Sequence, residues 1–136
     1  MKTLLIAALF TPICAYAGSD ITLSATDNFN WETTPEGVAF APHSGDWHSE
    51  RYFAMVRLPS GTVSPPHTKS ATMYGVILEG EMTHARPGTT SPAIIGAGGY
   101  YEVAASMPHI SACVSARACV AMLYQYSAFD VLPVAS

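Results

Sequence analysis

An alternation of apolar and polar residues with a period of two constrains the fold of this chain most. In residues 52–58 the first, third, fifth and seventh side chains are all apolar and share one face, as in a half-buried strand. No apolar stripe with the 3.6-residue period of a helix follows residue 17. Other short strand-like segments are bounded by Pro and Gly, and they cover residues 72–78, 81–84, 100–103, 109–113 and 119–126. The pattern predicts a single all-β domain, a sandwich or a barrel.

The first residues have the order of a secretory signal peptide. A single Lys2 precedes the apolar run 4–10, and the small residues Ala15 and Ala17 flank Tyr16. The apolar run is too short to remain as a membrane anchor. We therefore expect cleavage after Ala17, no membrane association afterwards, and a secreted or periplasmic product.

Cleavage of residues 1–17 would leave one domain and an acidic chain. It removes Lys2 and no acidic residue, so five basic residues would face ten acidic ones. No basic patch remains, which argues against a nucleic-acid partner. We expect residues 18–49 to form an N-terminal arm with edge strands, and residues 50–136 to form the β-barrel.

Two cysteines remain after cleavage, Cys113 and Cys119, with five residues between them. In an exported protein a disulfide is the first interpretation. Two free thiols or two metal ligands are the alternatives. The predicted role of the disulfide is to staple a hairpin.

Two histidines each follow a proline, and each lies downstream of a glycine turn. His67 ends the run Gly61-Thr-Val-Ser-Pro-Pro-His67, and His109 follows Pro108. A proline restricts the residue before it to extended conformations, so each histidine enters from an extended chain. Two histidines that reach one point from opposed strands can supply imidazole to Zn, Fe, Mn, Ni or Cu.

These motifs resemble the two signature motifs of the cupin superfamily. Gly61, His67 and Gly80 match the spacing of the first motif, and Gly98 or Gly99 with Pro108-His109 resembles the second. The His-x-x-Ala-Cys run and the closing Tyr-Gln and Phe-Asp-x-x-Pro resemble a group of exported, uncharacterised cupins. The resemblance implies a double-stranded β-helix, a jelly-roll barrel. It also implies a small-molecule ligand or substrate inside the barrel, and often a homodimer.

The resemblance implies a four-ligand metal centre, but two of its positions have changed. His67 matches the first ligand and His109 the last. Lys69 stands where the second His is expected, and Met73 where the Glu is expected. A protonated lysine cannot bind a metal, and a thioether prefers Cu(I). The metal motif is therefore degenerate.

Other side chains can replace the missing ligands. We expect Gln125 and Glu102 to lie on strands that line the barrel, and His84 to be the best third imidazole. Tyr74, His43 and His48 are the remaining donors. The predicted metal ligands are His67, His109, Gln125, Glu102 and His84.

Two functions follow from this site. In the first, a reduced barrel-interior site binds or senses a small ligand without catalysis, with or without one divalent transition metal. In the alternative, the chain is a metal-dependent oxygenase, isomerase or decarboxylase, with Tyr74, Lys69 and Glu102 as acid or base candidates. The changed ligand positions favour the first slightly. For Lys69, a solvated strand end and a pocket amine that holds an anion are equally compatible with the sequence.

Overall fold

The computed structural model describes residues 21–134, and the predicted signal peptide lies outside them. The described chain is almost wholly strand and loop. After a single 3₁₀ turn at Thr26–Asn28, the strands are β1 (Glu32–Thr33), β2 (Ala39–Gly45), β3 (Tyr52–Leu58), β4 (His67–Thr68), β5 (Met73–Glu79), β6 (Met82–Ala85), β7 (Tyr100–Val103), β8 (Ile110–Cys113), β9 (Cys119–Gln125) and β10 (Leu132–Pro133). The predicted all-β class is confirmed. Within residues 21–134, no helix is long and apolar enough to cross a membrane.

The strands form two layers. One is a six-stranded antiparallel sheet in the order β1-β2-β3-β9-β5-β7. The other consists of the pairs β6–β8 and β4–β10. These two pairs are joined by isolated bridges, one of which links His67 to His109. The layers face each other across the core.

The period-two pattern decides which side chains form this core. In β3 the apolar residues at 52, 54, 56 and 58 are buried, as predicted, and β9 has the same alternation. The β2 strand adds Phe40 to the same core, where its ring stacks on Trp47 at 4.4 Å between centroids. Burial of such side chains contributes about 1.5–3 kcal/mol each.

The turn residues Glu79-Gly80 predict that segment 81–84 pairs with segment 72–78 as a hairpin, and this pairing is wrong. The turn at Gly80 forms, with a φ of +78°, but β6 pairs with β8 in the other layer instead of returning along β5. A Cβ at position 80 would lie 2.9 Å from Cys119 Sγ. Glycine is therefore required here for both its backbone conformation and its size.

The predicted disulfide is confirmed, with an S–S distance of 2.10 Å and a Cα–Cα distance of 5.7 Å between Cys113 and Cys119. Its predicted role is wrong. Cys113 ends β8 and Cys119 begins β9, and these strands belong to different layers. The bond therefore ties the two layers together at one end of the barrel, and no hairpin is stapled.

Candidate functional site

The two proline-preceded histidines are cross-strand neighbours. The N–H of His67 donates to the carbonyl of His109 at 3.1 Å, and the N–H of His109 donates back at 2.9 Å. Directly opposed residues of an antiparallel bridge place their side chains on the same face. The two imidazole centroids are consequently 4.2 Å apart, and both side chains are buried. The predicted convergence of His67 and His109 is thus present in the structure.

Main-chain carbonyls fix the tautomer of both rings. His67 Nδ1 lies 2.8 Å from the carbonyl oxygen of Pro65, and His109 Nδ1 lies 2.9 Å from that of Met107. A carbonyl oxygen only accepts, so each Nδ1 carries the proton and each Nε2 keeps its lone pair. Burial lowers the pKa of both histidines, although these hydrogen bonds partly offset it. The pair is therefore neutral at pH 7 and presents two acceptors.

A third imidazole lies beside the pair. His84, on β6, accepts from or donates to Ser111 Oγ through Nδ1 at 2.8 Å, and its ring stacks on Tyr101 at 4.0 Å. Burial lowers its pKa to about 4, and the proximity of His109 and His67 adds to the effect. The Nε2 atoms of His84 and His109 are both buried without a hydrogen-bond partner among the described residues. Buried polar atoms are nearly always paired, so these two nitrogens mark a place for a ligand.

Lys69 is a pocket residue and not a solvated strand end. Its side chain is only 3% exposed, and Nζ lies 3.6 Å above the centroid of the Phe129 ring. Nζ also donates to the main-chain carbonyl of Asp130. Burial lowers the pKa of Lys69 to about 8, while the Asp130 carboxylate acts in the opposite direction. At pH 7 the amine is still mainly protonated.

His67, His84 and Lys69 border a cavity of about 350 Å³ in the barrel, whereas His109 is not one of its lining residues. His67, His84, Lys69 and Tyr101 supply polar atoms to its wall. Most of the remaining wall is apolar, and Phe40, Val56, Leu58, Met73, Leu123 and Phe129 all contribute to it. An apolar cavity with a few convergent polar groups is the usual form of a small-molecule site, and this volume is at the small end of the range.

Gln125 is interior, as expected, but its amide is already satisfied. The side chain is 0% exposed, and its Oε1 accepts from the Tyr52 hydroxyl at 3.3 Å. Its Nε2 donates to Ser127 Oγ and to the carbonyl of Ala128. This group locks the end of β9 to the C-terminal segment, and it does not line the cavity.

Glu102 and Tyr74 lie on the outer face of the six-stranded sheet, so the prediction that Glu102 lines the barrel is wrong. Glu102 is exposed and accepts from the Tyr100 hydroxyl at 3.0 Å. Tyr74, its cross-strand partner, packs near Tyr124. The period-two alternation is consistent with this outward orientation of Glu102, because neighbouring residues of a strand face opposite sides and the adjacent Val103 of β7 is buried.

His43 and His48 also lie outside the cavity. His43 is exposed and packs against Phe29 at 4.5 Å between ring centroids. His48 is exposed and pairs with Glu32 at 2.9 Å. Neither reaches the paired imidazoles.

The imidazoles near His67 are suitable ligands for a transition metal, but the described residues do not form a group of three such ligands. Neutral imidazoles suit Zn, Fe, Ni and Cu. Within residues 21–134, however, no three His, Cys, Asp or Glu side chains are grouped so that they can hold a metal ion. Of the predicted ligands, His67 and His109 face each other with His84 nearby, whereas Gln125 does not line the cavity and Glu102 is exposed.

Tyr101 is a site residue that the motif comparison did not single out. Its ring lies over Gly75, where a Cβ would come within 2.1 Å of the ring, and its other neighbour is His84. Burial raises its pKa, so the hydroxyl stays protonated. The sequence pattern of β7 could have identified Tyr101, because the alternation that turns Glu102 outward turns Tyr101 inward.

No protein-family model matches the sequence, and no curated protein matches it. Solved structures do match. KdgF from Halomonas sp. has a TM-score of 0.61 and 14% identity, over 77% of this chain and 94% of that one. The polyketide cyclase RemF from Streptomyces resistomycificus has a TM-score of 0.65 and 15% identity, over 85% and 87%.

A third matching structure is described by its fold. It is an RmlC-like cupin family protein with a double-stranded β-helix fold from Methanocaldococcus jannaschii, with a TM-score of 0.54 and 15% identity, over 72% of this chain and 89% of that one. At such identities the likeness establishes the fold and not the activity. The chain has the cupin fold, as its motifs predicted.

Proposed function

We propose that this chain is an exported cupin-fold protein that binds a small, largely apolar ligand inside its barrel and performs no chemistry on it. The cavity of about 350 Å³ carries the proposal, because its wall is largely apolar and also contains the polar side chains of His67, Lys69 and His84. The absence of a three-ligand group around His67, among residues 21–134, favours binding over metal-dependent catalysis.

The residues that were predicted to act as acid and base also favour binding. Tyr74 and Glu102 lie on the outer face, so neither reaches a ligand in the cavity. Lys69 does reach it, but its hydrogen bond to Asp130 and its stacking on Phe129 hold the amine in place. A fixed amine beside neutral imidazoles is suited to recognition.

A cavity-filling variant tests this function. Residues 18–136 are purified without a histidine tag and screened with small apolar fragments by NMR. Val56 lines the cavity, whereas Val76 lies on the outer face of the same sheet. Val56→Phe should remove fragment binding, and the matched Val76→Phe should retain it. Binding that survives Val56→Phe, or shift changes that map outside the cavity, would show that the cavity is not the site.

The alternative is a metal-dependent enzyme of the oxygenase, isomerase or decarboxylase type. The unpartnered Nε2 atoms of His84 and His109 are the observation that favours it. There the facing pair His67 and His109, with His84 nearby, would be the imidazoles available to one divalent ion, which would supply Lewis-acid chemistry when bound. Metal content is measured after reconstitution with Fe, Mn, Zn, Ni and Cu, in the wild type and in His67→Ala. Stoichiometric metal that is lost in the variant supports the enzyme, and metal-free chains in both cases refute it.

Export and self-association complete the proposal. Export is supported by the signal-like residues 1–17, and a homodimer is supported by the cupin resemblance. N-terminal sequencing of the exported product should begin at Gly18, and light scattering of that product gives the mass of the assembly.

A further inference from the structure

The cavity wall contains a buried ammonium, that of Lys69, which forms no direct ion pair among the described residues. Lys69 is the one lysine or arginine in its wall. The Asp130 carboxylate accepts from the N–H of Ser70 at 3.2 Å and acts on the Lys69 ammonium only electrostatically, while the main-chain carbonyl of Asp130 accepts from the amine. Asp130 does not line the cavity, so a ligand there meets the ammonium and not this carboxylate. Buried charges are costly unless they are paired, and this one borders an open volume.

The sign and number of the charges limit what fills that volume. One ammonium balances one negative charge. The acidic residue in the wall, Glu36, is exposed and lies toward the N-terminal strands. A dianion would leave one charge uncompensated against a largely apolar wall, and a cation would meet Lys69 with the same sign.

The imidazoles of the cavity wall limit which hydrogen bonds a ligand can form there. His67 lines the cavity, and its Nδ1 proton is committed to Pro65, so Nε2 can only accept. His84 Nε2 and Thr34 Oγ1 also line the cavity, and both are buried without a partner among the described residues. A ligand that carries a hydroxyl beside its anionic group would satisfy an acceptor that an anion alone cannot.

The rest of the ligand must be apolar and compact. Much of the wall is formed by aliphatic and aromatic side chains such as Phe40, Val56 and Leu123. A sugar or a polyol would leave its hydroxyls unpaired against these side chains.

Building on the proposed function, we propose that the ligand is a small apolar monocarboxylate, aromatic or branched, whose carboxylate pairs with Lys69. A hydroxyl next to the carboxylate donates to an imidazole of the cavity. Wall and ligand then complement each other in charge, polarity and size.

Acid and amide pairs of the same shape test the charge. The probes are benzoate with benzamide, 3-methylbutanoate with 3-methylbutanamide, and 2-hydroxybenzoate for the added hydroxyl. Binding to residues 18–136 is measured by calorimetry and by ligand-observed NMR. We expect each acid to bind at least tenfold more tightly than its amide, and 2-hydroxybenzoate to bind more tightly than benzoate.

Lys69→Met is the decisive variant, because methionine keeps the apolar length and removes the charge. The preference for acids over amides should disappear in it. Arg57→Met is the matched control, since Arg57 is also a cation stacked on an aromatic ring, that of Trp31, but lies outside the cavity. This control should keep the preference.

The outcomes separate the two proposals. If amides bind in the cavity as tightly as acids, or if Lys69→Met keeps the preference, the monocarboxylate is wrong and the binding function stands. If neither acids nor amides bind and fragments find no site in the cavity, both proposals are wrong.

Discussion

Replacing Gly75 with alanine should destabilise the fold through one side chain, Tyr101. An ideal Cβ at position 75 would lie 2.1 Å from Tyr101 Cζ and 2.3 Å from its hydroxyl oxygen. Both distances are far below van der Waals contact, so the ring must move away from His84, on which it stacks at 4.0 Å. Overpacking of this kind costs about 1–3 kcal/mol. Without a clash, Gly→Ala in a strand would stabilise by about 0.5–1 kcal/mol, so the net loss is about 1 kcal/mol.

Gly96 provides the matched control. A Cβ at position 96 would come no closer than 3.9 Å to its nearest neighbour, the carbonyl oxygen of Gly80. Gly96→Ala should therefore leave the free energy of unfolding unchanged or raise it by up to about 1 kcal/mol. Urea unfolding followed by tryptophan fluorescence measures all variants on one scale.

A double-mutant cycle isolates the contact. Tyr101→Ala alone should cost about 3–5 kcal/mol, as for other large buried aromatics. In that background Gly75→Ala has room for its methyl group and should be neutral or stabilising by up to about 1 kcal/mol, which gives a coupling energy of about 1–2 kcal/mol. A Gly75→Ala variant as stable as Gly96→Ala, or one equally destabilising with and without the Tyr101 ring, would refute the reasoning.

Three further predictions concern stability. The free energy of unfolding should fall by about 2 kcal/mol between pH 7.5 and pH 5, because folding lowers the pKa of His84 from 6.5 to about 4 and the unfolded state therefore binds the extra proton. Urea unfolding of His84→Gln should show a weaker dependence on pH. A free energy of unfolding that rises toward pH 5 would contradict this prediction. The unreduced, unfolded chain 18–136 should contain no free thiols, and two titratable thiols would show that the disulfide is absent. Reduction of the Cys113–Cys119 bond should lower the free energy of unfolding by about 2 kcal/mol. Gln125→Leu should lower the free energy of unfolding by about 2–3 kcal/mol, because it leaves the buried Tyr52 hydroxyl without an acceptor. Adding Tyr52→Phe should recover part of this stability. No recovery would show that the lost hydrogen bond is not the cause.

The sequence predicted the strands well because each depends on nearby residues. The β3 strand has the predicted bounds, and β7 runs from Tyr100 to Val103 as expected. The same alternation implies which side of a strand is buried. Applied to β7, it places Tyr101 inside and Glu102 outside, so the error over Glu102 came from weighing side-chain chemistry above the pattern.

The sequence alone could not assign strand partners. The turn at Gly80 was visible, but not that β6 would pair with β8 across the barrel. The Cys113–Cys119 bond was likewise foreseeable, whereas its role between two layers was not. Pairing between distant strands depends on side-chain complementarity over the whole domain, which no local window contains.

The sequence by itself thus determined an all-β chain with two proline-preceded histidines and an altered set of ligand positions. Only the tertiary structure decided what surrounds those histidines. It placed His84 near them and Tyr101 against His84, turned Glu102 away, and set Lys69 in the wall of a largely apolar cavity. The physical reason is that burial, tautomer and charge at a site are set by residues brought together from distant strands, and these properties decide what the site can bind.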